Sequence, residues 1–143
     1  MKRVSQLTAL AVALGLASSV FAAETAKTLT FTHLLQQKGT AIDTRLSAFY
    51  NGWPQQVNGT QGHEPGALNL SASWLSAMND EQLSAWAQQH QLSKTTDIAL
   101  YGDSKDNEAV AKRLKHAGFN NISTLSDALE QPDRLQKLPH FEQ

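Results

Sequence analysis

The chain has 143 residues, with 12 lysines and arginines against 13 aspartates and glutamates, and a formal net charge of −1 at pH 7. It has no block of basic residues that could follow a phosphate backbone, which argues against a nucleic-acid partner. The chain contains no cysteine, which excludes disulfides, thiolate metal sites and a cysteine nucleophile from this polypeptide.

The first residues have the pattern of a cleaved export signal. Two basic residues open the chain, an apolar stretch follows at residues 7–16, and Val-Phe-Ala at 20–22 matches a signal-peptidase site with cleavage after Ala22. The apolar stretch is too short for a membrane-spanning helix, which needs about 20 residues. We therefore predict a signal peptide at residues 1–22, export to the periplasm, and no membrane attachment after cleavage.

The mature part begins with a strand, a helix and a second strand. A weak strand is predicted at residues 28–31, and it leads into a short helix at 32–38. Gly39 is predicted to end that helix, because glycine accepts the left-handed conformation at helix C-termini. The second strand follows at once, at residues 40–43.

A long surface loop and a well-marked helix occupy the middle of the chain. The loop, rich in glycine, glutamine and asparagine, is predicted at residues 51–62, and a third strand follows at 67–70. The helix is predicted at residues 79–90. Asn79 can cap its first turn, and Gln82 stands three residues later, as in a capping box.

The last third of the chain predicts a buried strand, a polar loop, a helix and another strand. The strand at residues 98–101 is apolar throughout, which is typical of the centre of a parallel sheet. A polar loop is predicted at residues 102–107, a helix at 108–117 that Gly118 ends, and a fifth strand at 122–125. Two further helical turns are predicted, at residues 126–129 and from residue 132.

The order of these elements predicts the fold class. Strands separated by helices of this length indicate βαβ units, which build parallel sheets. We predict an α/β fold with a mostly parallel sheet of about five strands and helices on both faces. One domain is expected, over residues 23–131.

The polar loop after the fourth strand is the first candidate site. In α/β folds a strand that runs through a short loop into a helix N-terminus often holds an anion or a nucleophile, because the helix dipole and free amides stabilise negative charge. Ser104 has no evident base partner, which argues against a serine nucleophile. The candidate residues are Gly102, Asp103, Ser104, Lys105, Asp106 and Asn107.

A second group of candidates follows the second strand and precedes the third. Asp43 and Arg45 could form an acid–base pair, but a buried ion pair that fixes the sheet edge is the favoured interpretation. His63 could be a metal ligand or a general base, but its place between Gly62 and a Pro-Gly turn ending at Gly66 favours a structural turn histidine. No metal site is predicted, because no ligand spacing connects the other histidines, His33, His90, His116 and His140.

These motifs resemble a known family. Asp43-Thr44-Arg45 after a strand matches a D-x-R motif, and residues 62–69, Gly-His-Glu-Pro-Gly-Ala-Leu-Asn, match a G-H-I-x-G-A-x-N-like turn. Both motifs are characteristic of the rhodanese (sulfurtransferase) family, and the resemblance covers about residues 29–130. It implies a rhodanese-like fold. The residues from Met1 to Gln6, and the sequence through Leu75, are similar to the N-terminal domain of exported, three-domain bacterial thiosulfate sulfurtransferases.

The resemblance also implies that this domain is not catalytic. In the family, the loop after the fourth strand carries a cysteine that accepts a sulfane sulfur as a persulfide, and that position is Gly102 here. Asp103 and Asp106 place negative charge where a thiosulfate dianion would bind. Two further departures are the absence of a Gly-Gly at residues 125–128 and the long insertion after Tyr50.

The function that follows is structural. The resemblance implies a cysteine-free domain of a periplasmic thiosulfate sulfurtransferase, which packs against a cysteine-bearing rhodanese domain of the same or a sister polypeptide and shapes its pocket. No cofactor is implied. Residues 132–143 are predicted to begin a linker toward a further domain that is missing here, because their apolar residues have no following structure to cover them.

Two alternatives stay open. The chain could be a free-standing periplasmic binding module that uses the degenerate active-site loop as a pocket, with an apolar patch around residues 135–141 as a partner surface. It could also be an enzyme with a different mechanism, such as carboxylate-based hydrolysis through Asp103 and Asp106. That alternative ranks last, because no acid–base partner or metal ligand can be identified.

Overall fold

A computed structural model describes residues 27–55 and 60–138. The predicted signal peptide, the middle of the predicted 51–62 loop and the last five residues lie outside the described residues. The described residues form five strands: β1 (Thr28–Leu29), β2 (Thr40–Asp43), β3 (Leu68–Asn69), β4 (Ile98–Tyr101) and β5 (Ile122–Leu125). Four α-helices accompany them: α1 (Phe31–Gln36), α2 (Ser47–Asn51), α3 (Asp80–Gln89) and α4 (Ser104–His116). Two 3₁₀ helices lie at Ala72–Ala77 and Pro132–Arg134.

The strands form one parallel sheet in the order β1-β5-β4-β2-β3. β4 lies at its centre and is buried along its whole length, as its continuous apolar sequence predicts. Because all the strands are parallel, their carboxyl ends share one edge. That edge brings together the residues that follow β2, β3 and β4, and it is the edge where α/β folds place ligands.

Two apolar layers cover the sheet, one on each face. Successive side chains of a strand point to opposite faces: Ile98 and Leu100 of β4 pack in the layer that holds α3 and α4, whereas Ala99 and Tyr101 pack in the layer that holds α1. The predicted α/β architecture, with a five-stranded parallel sheet and helices on both faces, is confirmed.

The helix boundaries differ from the prediction in instructive ways. α3 begins as predicted, with Asn79 and Gln82 in a reciprocal capping box. At the end of α1 the left-handed residue is Lys38, with φ of 57°, and not Gly39. Gly39 instead allows a close chain approach, because a Cβ there would lie 2.8 Å from the carbonyl oxygen of Asp97. Residues 126–129 form bends and a turn, not the predicted helical turn.

Within residues 27–55 and 60–138, no helix combines the length and the apolar character that crossing a membrane requires.

Candidate functional site

Gly102 lies at the carboxyl end of β4, with φ of 139°. A Cβ at this position would lie 2.5 Å from Oγ1 of Thr44 and 3.3 Å from Cγ of Arg45. Thr44 is itself fixed: its buried hydroxyl donates to Oδ1 of Asn107 at 2.7 Å and lies 3.2 Å from the carbonyl oxygen of Tyr101. The space that a side chain at position 102 would need is therefore filled by the residues that follow β2.

The predicted loop at residues 102–107 is much shorter in the structure. α4 begins at Ser104, four residues before the predicted start, so that Ser104, Lys105, Asp106 and Asn107 form its first turn. Asp103 is the N-cap, and its carboxylate accepts a hydrogen bond from the Lys105 amide at 2.8 Å. Aspartate is a strong N-cap and acidic residues are favoured in the first turn, so a run that looks like a polar loop is the start of a helix.

The start of α4 is already supplied with negative charge. The Asp103 carboxylate already accepts a hydrogen bond from one of the free amides of the first turn. Asp106 adds a second carboxylate to that turn. An exogenous anion would have to displace one carboxylate and approach another, which costs desolvation and like-charge repulsion. The geometry of a helix-terminus anion site is present, but its charge is unsuited to a dianion.

Asp43 and Arg45 form a buried ion pair at the end of β2. Nη2 of Arg45 lies 2.6 Å from Oδ2 of Asp43, and Nε lies 3.0 Å from Oδ1. The guanidinium also donates to the carbonyl oxygen of Gly62 at 2.6 Å and to Oε1 of Gln55 at 3.3 Å. The hydrogen bonds to Gly62 and Gln55 tie the edge of the sheet to the loop before β3, which is a structural geometry.

A second buried ion pair involves Glu64, a residue that the sequence did not single out. Glu64 is fully buried and meets Arg134 through two hydrogen bonds, of 2.7 Å from Nε and 2.9 Å from Nη2. The amide of Leu129 donates to the same carboxylate at 2.8 Å. These hydrogen bonds to Glu64 raise the pKa of Arg134 above its ordinary value.

Tyr101 connects the Gly102 position to this cluster. Its hydroxyl accepts a hydrogen bond from the Glu64 amide at 2.9 Å. Burial raises the pKa of Tyr101 far above its ordinary value, and the negative charge of Asp43 raises it further. The phenol is therefore a neutral structural group across the physiological range, and it is unavailable as a general base.

His63 is held by a stacked tyrosine. Its ring lies parallel to that of Tyr50, with centroids 3.7 Å apart, and its Nδ1 lies 2.7 Å from the Tyr50 carbonyl oxygen. Its main chain forms an antiparallel bridge with Gln136. Gly66, three residues later, has φ of 75° and makes the turn into β3. In the described part of the chain, no group of three or more histidine, aspartate or glutamate side chains is placed to hold a metal ion.

A cavity of about 430 Å³ lies beside the first turns of α4, between this helix and strands β4 and β5. Ser104 and Asn107 contribute to it from the predicted loop, and three lysines stand at its wall. Its lining residues include Lys27, Leu100, Ser104, Asn107, Lys112 and Lys115.

The match to known families agrees with this architecture. Residues 28–131 match the model of the rhodanese-like domain. The chain belongs to the rhodanese-like domain family. It is 65% identical, over its whole length, to the thiosulfate sulfurtransferase YnjE of Escherichia coli (strain K12), and it covers 33% of that protein. The chain thus spans about a third of the length of the curated relative that it matches.

Solved structures show the same rhodanese-like fold. The crystal structure of YnjE superimposes with a TM-score of 0.78 at 64% identity, over 82% of this chain and 28% of that one. The wild-type structure of EanB superimposes with a TM-score of 0.67 at 28% identity, over 81% of this chain and 28% of that one. Variants of EanB have been solved in complex with ergothioneine and with hercynine.

The rhodanese-like domain brings some of the predicted residues together and separates others. Arg45 and Gly102 adjoin one another at the sheet edge, whereas His63 and Gly66 lie in the turn before β3. Glu64 is the most important residue of this region that was not predicted from the sequence. A signal for it existed, because a glutamate stands where the family's turn has an apolar residue, and a charge at such a position needs a partner.

Proposed function

We propose that this chain is a non-catalytic rhodanese-like domain that serves as the structural partner of a cysteine-bearing rhodanese domain in a periplasmic thiosulfate sulfurtransferase. The observation that carries the proposal is the Gly102 position. It has no nucleophile, its backbone has φ of 139°, and Thr44 occupies the space that a side chain would need. A chain without cysteine cannot form the persulfide that the family's chemistry requires.

The relative supports the assignment to a sulfurtransferase. A chain that is 65% identical to YnjE and covers 33% of it corresponds to one unit of a longer protein. In the proposed arrangement, the sulfane sulfur of thiosulfate is transferred to a cysteine thiolate outside this domain. This domain supplies a rigid edge, fixed by the Asp43–Arg45 pair, against which the cysteine-bearing domain is positioned.

The proposal is tested by a thiosulfate:cyanide sulfurtransferase assay on residues 23–143 beside the longer polypeptide that continues past Gln143. We expect no turnover from the 121-residue part and turnover from the longer one, lost when residues 23–143 are removed from it. Turnover by residues 23–143 alone would overturn the non-catalytic assignment. Unchanged kcat/KM after their removal would overturn the structural role.

The periplasmic location has a separate test. Mass spectrometry of the protein from a periplasmic extract should find a chain that begins at Ala23, the residue after the predicted cleavage site. A chain that retains residues 1–22 and fractionates with the cytoplasm would contradict the export signal.

The cavity beside α4 favours a second candidate function, a binding module for a small anion. Its charged lining residues are Lys27, Lys112, Lys115 and Glu108, so an oxyanion there would be near three cationic groups and one carboxylate. Isothermal titration with thiosulfate and sulfite would test this candidate, with the double variant Lys112→Gln/Lys115→Gln. Lys105→Gln is the matched control, because Lys105 is on the same helix but does not line the cavity. Binding that only the double variant abolishes would favour the module; no binding would dismiss it.

A further inference from the structure

One α-helix of the described residues has no buried side chain. α2, at Ser47–Asn51, is the shortest α-helix described, and none of its residues is buried. Three of the five large apolar side chains that are exposed in the described part of the chain surround it. Leu46 is its N-cap residue and is 51% exposed, Trp53 follows its C-cap and is 57% exposed, and Leu138 is 37% exposed. We call Leu46, Trp53, Leu138 and the outer side of α2 the α2 surface.

The α2 surface has the composition of an interface core. Residues 46–55 read Leu-Ser-Ala-Phe-Tyr-Asn-Gly-Trp-Pro-Gln, with four large apolar or aromatic side chains and no charge. The cores of protein interfaces are enriched in aromatic residues and depleted of charged ones. An uncharged stretch of this kind on a solvent-facing helix indicates a surface that another protein segment covers.

The helix is also held in place from its inner side. The Tyr50 hydroxyl donates to the carbonyl oxygen of Ala67 at 2.6 Å, and the Tyr50 ring stacks on His63. The amide of Trp53 bonds to the carbonyl oxygen of Ala48 at 3.0 Å, which fixes the chain after the helix. A surface that is rigid before docking loses little conformational entropy when it is covered.

The path of the chain identifies what covers this surface. The Leu138 amide bonds to the Asn51 carbonyl oxygen at 3.1 Å, so the last described residue lies on α2 itself. About two thirds of the relative's length lies outside the region that this chain matches. A domain that follows residue 143 would be tethered within a few residues of the α2 surface, and would meet it at a high effective concentration.

We propose that the α2 surface is the docking site of the domain that follows residue 143 in the longer protein. The proposal rests on the proposed function, in that it names the surface through which this domain meets its partner. The contact is apolar and intramolecular, made by Leu46, Trp53 and Leu138 around the uncharged helix.

Thiol labelling in the longer protein tests this docking. Residues 1–143 contain no cysteine, so Leu46→Cys and Trp53→Cys, each made alone, report on the α2 surface when peptides are resolved by mass spectrometry. Leu35→Cys is the matched control. Leu35 is 56% exposed, but it lies in the last turn of α1, just before β2 begins, at the opposite edge of the sheet. Each variant is labelled with a maleimide in the 143-residue chain and in the longer polypeptide.

We expect labelling at positions 46 and 53 to be at least about tenfold slower in the longer polypeptide, which corresponds to about 1.4 kcal/mol of docking free energy, with position 35 unchanged. Equal rates at 46 and 53 in both proteins would overturn the docking site. Slowing at all three positions would overturn it as well, because the protection would not belong to this surface.

The labelling result is independent of the activity assay. If positions 46 and 53 are protected in the longer polypeptide, but its turnover is unchanged when residues 23–143 are removed, the docking site stands and the structural role is refuted. If turnover is lost when residues 23–143 are removed, but positions 46 and 53 are not protected from labelling, the structural role stands and the α2 surface is refuted as the docking site.

Discussion

Glu64 and Arg134 meet in a two-point salt bridge across 70 residues of sequence. The carboxylate is fully buried, and the guanidinium also lies over the ring of Phe31, at 4.5 Å from its centroid. This one contact joins the turn before β3, the start of α1 and the segment after β5. With the bonds of Gln136 to His63 and of Leu138 to Asn51, it holds residues 129–138 against the domain; that a linker begins at residue 132 stays a prediction.

Breaking the Glu64–Arg134 pair should destabilise the fold. Arg134→Gln leaves the carboxylate of Glu64 buried without a compensating charge, and we expect the free energy of unfolding to fall by about 3 kcal/mol. Urea denaturation measures it. Asp80→Asn is the matched control, since Asp80 is about half exposed and pairs with Arg113 and His116 at the surface; we expect it to lower the free energy of unfolding by less than about 1 kcal/mol. Equal losses in the two variants would show that Glu64 finds solvent or another partner.

The segment at residues 132–138, which contains Arg134, should be needed for full stability of the domain. A chain that ends at Gln131, the limit of the rhodanese-like match, lacks Arg134 and the bridge between Gln136 and His63. We expect it to lose at least as much stability as Arg134→Gln, about 3 kcal/mol or more, relative to a chain that ends at Leu138. Thermal unfolding of the two chains checks this. A chain ending at Gln131 with an unchanged Tm would mean that residues 132–138 contribute nothing to the fold.

The elements that the sequence predicted well are those in which local pattern and burial agree. β4 is apolar throughout and lies at the centre of the sheet, and α3 has a capping box that is legible in the sequence. The D-x-R motif and the Gly-His turn identified the family and the carboxyl edge of the sheet. Each of these elements has a local sequence pattern that indicates it even when its distant partners are unknown, which is why they could be predicted.

The parts that the sequence missed depend on distant partners or on competing local signals. Glu64 is interpretable only with Arg134, 70 residues away. At Ser104–Asn107 the polar composition indicated a loop, but an aspartate N-cap and favourable first-turn charge outweigh that composition. The obstruction of Gly102 by Thr44 arises from the register of β2 against β4, which no local pattern encodes.

Tyr50 and Tyr101 should make the domain sensitive to alkali. They are the two tyrosines of the chain, and burial, with the negative charge of Asp43, raises the pKa of both above the ordinary 10.0. Above pH 10.0 the unfolded chain therefore binds fewer protons than the folded one, so stability falls as pH rises. Below that pH the contribution is fully present. Tyrosinate absorbance should appear together with the loss of circular dichroism.

Tyr50→Phe separates the two groups. Tyr101 is the more deeply buried, so the remaining absorbance change in this variant should coincide fully with unfolding. A tyrosine that titrates at its ordinary pKa while the circular dichroism is unchanged would contradict the raised pKa of Tyr101.

Gly102→Cys restores the family's nucleophile and should still give no thiosulfate turnover. The new Cβ would meet Oγ1 of Thr44 at 2.5 Å, on a backbone with φ of 139°, and we expect a loss of about 1–3 kcal/mol in stability. The Asp103 carboxylate would still accept the hydrogen bond from the Lys105 amide in the first turn of α4. The thiolate and the thiosulfate dianion would therefore both face negative charge.

Gly102→Ala is the matched control, since it carries the same backbone strain without a thiol and should be destabilised to a similar degree. Thr44→Ala combined with Gly102→Cys should be less destabilised than the sum of the single changes, because the clash and the hydroxyl are removed together. Urea denaturation and the thiosulfate:cyanide assay give both readouts. Turnover by Gly102→Cys alone would show that the start of α4 still accepts thiosulfate, and that the missing cysteine is the whole reason for inactivity.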